Sequence, residues 1–386
     1  MAERRTDLDW LRIGAFAILI LFHVGMFYAP AEWEVKSPRI VPWLAVVLEW
    51  SAPWRLLLLF MISGAATSFM CRRMAPRELF VARSVFLLPP LLFAVIAVSP
   101  PQLYVKAIEQ FRYHGDFWRF LPRYFDLRHR LCNSERCLQM PNWEHLWFVA
   151  YLWIYTTLLA LGLGKMGRLS SVPSFHRILR GWRLLVVPSV FLTMMRIGLE
   201  HFFPETHGLV DDWYLHAVFF SAFLFGFTVL RDNSIMRTLE SLRWLALGVG
   251  ITAFILRSTY TWEYHDGASI PIALKVVMAF AYGFDQWSWV VAALGFASRH
   301  LRGRDGAVRQ YLTEAIFPYY IIHQLIIVLA AHELTRLALP LALEAFVLVI
   351  LCVVGCVATF ELVRRVEWLR PWFGLRPSHR KEALSR

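Results

Sequence analysis

Long apolar runs recur along the whole chain and constrain its fold more than any other feature. Most of them cover roughly 17–25 residues, the length that a helix needs to cross a ~30 Å hydrocarbon layer. The 386 residues are 58% hydrophobic and 16% aromatic, more apolar material than a soluble domain of this length buries. We therefore predict an all-α, polytopic transmembrane helical bundle of about ten spans, near residues 11–29, 53–70, 81–99, 145–163, 183–200, 213–230, 244–258, 271–297, 312–330 and 341–363.

The basic charge, formally +12 at pH 7, would in a soluble protein suggest a nucleic-acid partner. The 40 Lys and Arg residues instead concentrate in every second connection and after residue 363. Two short connections on the opposite side, 201–212 and 259–270, contain neither Lys nor Arg. This distribution is typical of the positive-inside rule. We predict that both termini are cytoplasmic, and we exclude nucleic acid as a partner.

No linker or low-complexity segment interrupts the spans, so we predict a single membrane domain over residues 1–386. The longest connection, residues 100–144, is predicted to be extracytoplasmic and is rich in aromatic residues. A connection of this length is usually functional or disordered, and its aromatic content argues against disorder. Two interpretations stay open: interfacial helices lying on the bilayer, or a cover over the outer mouth of a site that stacks on sugar rings.

The cysteines fall into two pairs and one single residue. Cys132 and Cys137 lie in the 100–144 excursion, where an oxidising compartment would permit a disulfide, with two free thiols as the alternative. Cys352 and Cys356 lie in the last predicted span and are expected to be small packing residues. No cluster of His, Cys, Asp and Glu has a convincing metal spacing, so no metal site is expected.

The first predicted span contains two ionisable residues, Arg12 and His23. An Arg near the centre of a span costs about 2.5–3.5 kcal/mol on insertion scales, so such residues generally face an interior cavity and mark function. Eleven steps of ~100° are three turns plus ~20°, which places both side chains on one helix face, ~16 Å apart along the axis. One cavity could therefore contact both residues.

The two side chains suit different chemical tasks. With the N-terminus inside, Arg12 lies near the cytoplasmic surface, where its fork of donors suits a phosphorylated substrate. His23 lies deeper, and a neutral imidazole can accept a proton from a hydroxyl group. The alternatives are that Arg12 is an interfacial anchor reaching the surface, and that His23 is a hydrogen-bonded packing residue.

The arrangement Leu8-Asp9-x-Leu11-Arg12 followed by His23 resembles the signature of the membrane acyltransferase type 3 family, multi-pass bacterial enzymes that O-acylate carbohydrates and lipids. Similar landmarks follow in the family's order: Ser63-Gly64, His145-Leu146-Trp147-Phe148 and Pro318-Tyr319-Tyr320-Ile321-Ile322-His323. Within the family, the chain is most similar to the branch that includes periplasmic-glucan succinyltransferases, in the stretches from Trp54-Arg55 to Gly64 and from Asn142 to Phe148.

The resemblance implies a protein of the bacterial inner membrane that uses cytoplasmic acyl-CoA, either acetyl-CoA or succinyl-CoA, and holds no permanently bound cofactor. It implies that His23 is the catalytic base or nucleophile, and that Arg12 is its essential partner at the donor side. Many members also carry two arginines three residues apart before the third span's Pro-Pro. Here Arg83 matches the first, but Phe86 occupies the second position. Donor contacts from the nearby basic cluster are expected to compensate: Arg72, Arg73 and Arg77.

Other polar residues in the predicted spans need interior partners. Acceptor-binding or supporting roles are predicted for His145, Trp147, Asp285 and His323, with interfacial or satisfied core residues as the alternative. Interhelical ion pairs are the expected role of Glu314, Arg196 and Glu200. Gly64 is expected to permit close helix approach.

The leading hypothesis is an integral membrane O-acyltransferase that passes an acetyl or succinyl group to a hydroxyl of an extracytoplasmic carbohydrate or lipid. A rival class is a proton-coupled transporter, in which His23, Asp285 and His323 would form a proton relay. A catalytically silent membrane scaffold is a third possibility. The sequence leaves open the acyl group, the acceptor, the role of His23 and the oligomeric state.

Overall fold

A computed structural model describes residues 5–126, 128, 130–169, 178–264 and 270–377, with the backbone alone for 164–169. Three segments that the predicted topology used lie outside the described residues: 170–177, 265–269 and 378–386. Within the described part of the chain, the regular elements are helices, and one isolated β-bridge joins Cys132 and Cys137. The all-α prediction is therefore confirmed for these residues.

The described residues form twelve α-helices. In chain order they are α1 (Thr6–Tyr28), α2 (Leu44–Met70), α3 (Pro76–Phe93), α4 (Ser99–Phe111), α5 (Phe117–Phe125), α6 (Trp147–Leu169), α7 (Arg183–Met195), α8 (Trp213–Thr228), α9 (Asn233–Glu263), α10 (Ile272–His300), α11 (Ala307–Thr335) and α12 (Leu341–Arg365). Two π-helical segments, Ala94–Val98 and Arg196–Glu200, continue α3 and α7, and two 3₁₀ turns cover Glu144–Leu146 and Arg370–Phe373.

Seven segments of the described chain are long and apolar enough to cross a membrane: Thr6–Tyr28, Leu44–Met70, Pro76–Phe111, Glu144–Leu163, Asn233–Glu263, Ala307–Thr335 and Leu341–Arg365. The remaining three predicted spans also form helices. They correspond to α7 with its π-helical segment, the shorter apolar α8, and α10. The count of about ten spans and the cytoplasmic termini stay predictions.

The first residues of the predicted excursion are helical in the structure. The third helix continues through the π-helical segment Ala94–Val98 into α4 and ends at Phe111. Pro100 and Pro101 stand at the start of α4, directly after the π-helical segment. The non-helical part of this connection begins after Phe111.

The rest of the excursion has an apolar core of its own. Its buried residues come from α4, α5 and the segment that follows: Leu103, Ala107, Phe111, Phe120, Tyr124 and Leu138. The Tyr124 hydroxyl donates to the carbonyl of Val95 at 2.7 Å, which ties α5 to the π-helical segment. Cys132 and Cys137 are joined by a disulfide that closes a short loop.

The chain divides into two compact units. Unit 1 comprises Met1–Ala15, Glu49–Ala82 and Tyr151–Gln310; unit 2 comprises Phe16–Leu48, Arg83–Ala150 and Tyr311–Arg386. Both units draw on separate parts of the sequence, and several helices contribute to both. The single-domain assignment stays a prediction.

In unit 1, α10 packs along α9 and also against α7. Helices α2 and α8 approach so closely that a Cβ at Gly64 would overlap the Phe223 carbonyl, and one at Gly226 would overlap the Met61 carbonyl. The absence of side chains at both glycines lets the two backbones touch. The prediction that Gly64 permits close helix approach is therefore confirmed.

An ion-pair network fixes the start of α1 in unit 1. The buried guanidinium of Arg309 contacts the carboxylate of Asp9 and lies 2.7 Å from that of Asp305. The Thr6 hydroxyl donates to the Leu301 carbonyl at 3.0 Å. Asp9, part of the landmark in the first span, thus anchors α1 to the start of α11.

The core of unit 2 lies between the second half of α1 and helices α11 and α12. Its fully buried members include Phe27, Ile327 and Leu348, and Cys352 and Cys356 are embedded among them as free thiols. These two cysteines are packing residues, as predicted.

Substitution of Gly64 by alanine should lower the thermal unfolding midpoint of the purified protein, because the new methyl group meets a rigid backbone carbonyl. Overpacking of this kind typically costs about 1–3 kcal/mol. Gly248→Ala is the matched control, since a Cβ there meets nothing within 4 Å and alanine favours a helix by about 1 kcal/mol over glycine. Thermal unfolding in detergent would measure both, and an unchanged midpoint for Gly64→Ala would contradict the close contact.

Candidate active site

Three histidines from three helical segments meet in unit 2. His23 lies on α1, His145 in the 3₁₀ turn before α6, and His323 on α11. The ring centroid of His323 lies 5.0 Å from that of His23 and 4.9 Å from that of His145, while His23 and His145 are 6.4 Å apart. Two of the predicted supporting residues, His145 and His323, are thus placed beside His23.

Hydrogen bonds define which ring nitrogens carry protons. Nδ1 of His323 lies 2.8 Å from the carbonyl oxygen of Tyr320, and its Nε2 lies 2.9 Å from Nδ1 of His23. A carbonyl oxygen only accepts, so Nδ1 of His323 must donate and Nε2 of the neutral ring must accept. Nδ1 of His23 is then the donor, and Nε2 of neutral His23 carries the basic lone pair. The arrangement leaves the first-span histidine in the tautomer that a general base needs.

His145 shares the same backbone acceptor. Its Nε2 donates to the Tyr320 carbonyl at 2.9 Å, and the Tyr320 hydroxyl donates back to the His145 carbonyl. This tautomer leaves Nδ1 of His145 as an acceptor, buried and without a hydrogen-bond partner among the described residues. A substrate hydroxyl is the kind of group that such an atom would bind.

Aromatic rings enclose the histidines and set their exposure. Trp33 stacks on His23 with centroids 6.2 Å apart and planes 16° apart, and Phe16 packs edge-on against His323 at 5.4 Å. His145 and His323 are buried, whereas His23 is only half-buried. Of the three rings, His23 is therefore the most accessible to a reactant.

The excursion contacts the segment that carries Trp33. The side-chain amide of Gln110 donates to the carbonyls of Trp33 and Glu34, at 2.5 and 3.0 Å. Arg136, inside the disulfide loop, donates to the Gln110 side chain at 3.0 Å. These bonds connect the disulfide loop to the ring stacked on His23, which supports the interpretation of the excursion as a cover; the interfacial-helix interpretation stays a prediction.

Several residues around this cluster were not predicted from the sequence. Trp33 and Tyr320 contact the histidines, and Lys106 pairs with the buried carboxylate of Glu34 at 3.1 Å. Tyr320 precedes His323 by three positions, so helical spacing could have placed both on one face. No local signal marks Trp33, because its contact with His23 depends on the loop after α1.

The predicted donor-side arginines fall into two classes. Arg72 and Arg73 follow α2 and Arg77 begins α3, all three exposed, whereas Arg83 is buried in unit 2. Phe86, which occupies the position of the family's second arginine, stacks on Phe317 with centroids 5.2 Å and planes 19° apart. Apolar packing therefore replaces a charge at that point.

Arg12 lies on the same helix as His23, since α1 is continuous from Thr6 to Tyr28. Its side chain is half-buried and its Nε atom is screened from solvent. Trp147, at the start of α6, is also buried. The structure leaves their predicted roles, at the donor and at the acceptor, as predictions.

The remaining ionisable candidates have structural partners. In unit 1, Asp285 contacts the guanidinium of Arg257 and accepts from the Trp289 indole at 2.9 Å. In unit 2, Glu314 lies 3.8 Å from Arg370, which follows α12. Arg196 and Glu200 were expected to form interhelical pairs; that is wrong, because they pair with each other at 2.6 Å within one π-helical segment. Among the described residues, no group of three His, Cys, Asp or Glu side chains is placed to hold a metal ion.

Comparison with known proteins places this site in a family. A family model described as an acyltransferase domain matches residues 5–361. Two proteins named glucans biosynthesis protein C are similar over 99% of this chain and 97% of their own length: that of Shigella boydii serotype 4 (strain Sb227) is 21% identical, and that of Escherichia coli (strain K12) 20%. No solved structure matches the chain. The chain therefore belongs to the membrane acyltransferase type 3 family, and it is a membrane acyltransferase.

Proposed function

We propose that the protein O-acylates an extracytoplasmic carbohydrate or lipid, taking an acetyl or succinyl group from acyl-CoA on the cytoplasmic side of the bacterial inner membrane. The printed name of its relatives, glucans biosynthesis protein C, favours a glucan hydroxyl as the acceptor. The observation that carries the proposal is the bond between Nδ1 of His23 and Nε2 of His323. It holds the His23 ring in one orientation and directs its basic nitrogen away from His323.

In the general-base form of the reaction, Nε2 of His23 takes the proton of the acceptor hydroxyl as the oxygen attacks the thioester carbonyl. The tetrahedral intermediate collapses, the carbon–sulfur bond breaks, and the CoA thiolate takes the proton back from His23. The backbone carbonyl of Tyr320, acting through His323, favours the positive charge that His23 carries between these steps.

In the nucleophilic form, Nε2 of His23 attacks the thioester itself, and CoA leaves before the acceptor binds. The acceptor hydroxyl then attacks the acyl group, the bond between the acyl carbon and Nε2 breaks, and the freed imidazole takes the hydroxyl proton and releases it to water. This form suits a membrane enzyme whose two substrates arrive from opposite sides. The intact mass of the protein, measured after incubation with acyl-CoA alone, separates the two forms, because only the nucleophilic form adds one acyl group to the protein.

The buried acceptor atom of His145 suits the other substrate. Nδ1 of His145 can accept a hydrogen bond from a hydroxyl. We assign His145 and Trp147 to the acceptor side, with Asp285 in a supporting role. We assign Arg12 to the donor phosphates, together with the basic residues Arg72, Arg73, Arg77 and Arg83.

His23→Ala should lower kcat by about 10²–10⁴, the usual contribution of a positioned acid or base. Release of CoA thiol by protein in proteoliposomes supplied with succinyl-CoA or acetyl-CoA measures this rate. The matched control is His300→Ala, because His300 is exposed at the end of α10. If the His23 variant kept at least half of the wild-type rate, neither form of the reaction could hold.

His323→Leu removes the acceptor of the His23 Nδ1–H bond and should lower kcat about tenfold to thirtyfold, the equivalent of one hydrogen bond. The KM for acyl-CoA should stay unchanged, because His323 is fully buried. His323→Gln retains an acceptor oxygen and should recover part of the rate. Equal rates for the Leu and Gln variants would show that the hydrogen bond does not position His23.

Arg12→Ala should raise the KM for acyl-CoA at least tenfold, because a guanidinium binds phosphate through two parallel bonds. Arg12→Lys keeps the positive charge but loses the paired donors of the guanidinium. Its KM for acyl-CoA should therefore lie between those of the wild type and of Arg12→Ala. Steady-state kinetics against acyl-CoA and against a short acyl-thioester without the nucleotide would separate donor binding from chemistry. A KM effect of equal size on both donors would argue against a phosphate contact.

A further inference from the structure

A second candidate site lies in unit 1, apart from the histidine cluster described for unit 2. A cavity of about 580 Å³ opens among the π-helical segment after α7, the last turns of α9 and the first turns of α10. Its polar lining comes mainly from Arg196, Glu200, Arg257, Tyr260, Lys275 and Tyr282. The volume falls within the ~300–1,000 Å³ of small-molecule sites.

The charged residues at this cavity lie within predicted membrane spans. Arg196, Arg257 and Asp285 all lie in helices counted among the predicted spans, where ionisable residues are costly and mostly serve function. Arg196 and Glu200 also lie in a π-helical segment, an element found mostly at functional sites. The acyl-transfer site described above uses neither of the two arginines.

The two guanidiniums are held in place before any ligand arrives. Arg196 lies 2.6 Å from Glu200 and 3.7 Å from the ring centre of Tyr282. Arg257 contacts Asp285 and lies 4.5 Å from the same ring. A carboxylate and the ring of Tyr282 thus hold each guanidinium in place, so little side-chain entropy remains to be lost when a ligand binds.

Both arginines of the cavity are paired with carboxylates. The lining carries three cations, Arg196, Arg257 and Lys275, and the carboxylate of Glu200, which pairs with Arg196. Two carboxylates outside the lining act on Arg257: Asp285 contacts it directly and Glu49 attracts it electrostatically. A set whose arginines are paired in this way selects an anion only weakly. It offers donors and acceptors side by side, which suits a neutral ligand rich in hydroxyl groups.

We propose that this cavity binds a saccharide unit of the carbohydrate acceptor. A sugar hydroxyl both donates and accepts, so it can bridge a guanidinium and a carboxylate, and the ring of Tyr260 offers an apolar face to the sugar. Thr261, which also lines the cavity, adds a hydroxyl group. The inference rests on the proposed function, since it identifies where the acceptor of that reaction is held.

The test uses full-length protein in zwitterionic lipid nanodiscs and β-linked glucose oligosaccharides of two to six units. Saturation-transfer NMR should detect binding to the wild type. Tyr260→Leu and the double variant Thr261→Val with Lys275→Met should each raise the Kd about tenfold. The control is Arg336→Met, which removes an exposed cation outside the cavity and should bind like the wild type.

Two further measurements make the outcome decisive. Unfolding midpoints show that the variants fold, and the slow release of CoA without acceptor should stay at the wild-type level and remain dependent on His23. If the wild type binds no oligosaccharide, or the cavity variants bind as well as it does, the cavity assignment fails while the acyltransferase proposal stands. If the wild type showed no CoA release that depends on His23, the proposed function itself would be wrong.

A lipid headgroup is the competing occupant, because apolar side chains such as Ile197 and Val276 share the cavity wall. Native mass spectrometry of protein in mixed nanodiscs would count bound phosphatidylglycerol. If the Thr261 and Lys275 double variant lost that lipid but kept wild-type affinity for the oligosaccharides, the cavity would be a lipid site and the saccharide proposal would be wrong.

Discussion

Hydrocarbon offers no water to a buried polar group, so a donor or acceptor inside the helices that finds no partner in the chain carries a cost in free energy. This constraint gives the histidine cluster its chemical direction. The Tyr320 carbonyl can only accept a hydrogen bond, which fixes the proton on Nδ1 of His323 and then on Nδ1 of His23. The carbonyl oxygen of Tyr320, two hydrogen bonds away, thereby determines which ring nitrogen of His23 is left without a proton. In water, either tautomer would find partners and the ring would have no preferred direction.

The same constraint explains why the ionisable residues within the helices are paired. Arg309 is almost fully buried and contacts Asp9 and Asp305, while Asp285 is fully buried and contacts Arg257. Breaking such a pair leaves an uncompensated charge, which costs more than the pair itself contributes. The pairs therefore act as fixed points between helices, and Asp9 serves in this way directly before Arg12. A residue that looks like part of a catalytic signature thus has a structural task.

Hydropathy was sufficient to predict the helices and seven candidate spans of the described chain, and the cost of buried charge directed attention to His23, whose role stays a prediction. The positions of His145 and His323 came from the family resemblance, and Trp33 and Arg257 were not predicted at all. Their roles depend on contacts between residues far apart in the sequence, which periodicity does not encode. The continuous helical segment as far as Phe111 was not predicted either, because it passes through a π-helical segment and two prolines, Pro100 and Pro101.

The departure from the family pattern at Phe86 has a physical consequence for the donor side. Because Phe86 stacks on Phe317, an arginine at this position would give up that ring contact. It would also place a second positive charge three positions after the buried Arg83, and like charges at this helical spacing repel each other. In the proposed reaction, positive charge for the donor phosphates is best supplied at the exposed turn before α3, where Arg72, Arg73 and Arg77 stay hydrated. Such contacts are screened by salt, so the proposal implies that donor binding depends on ionic strength more than it would with two buried arginines.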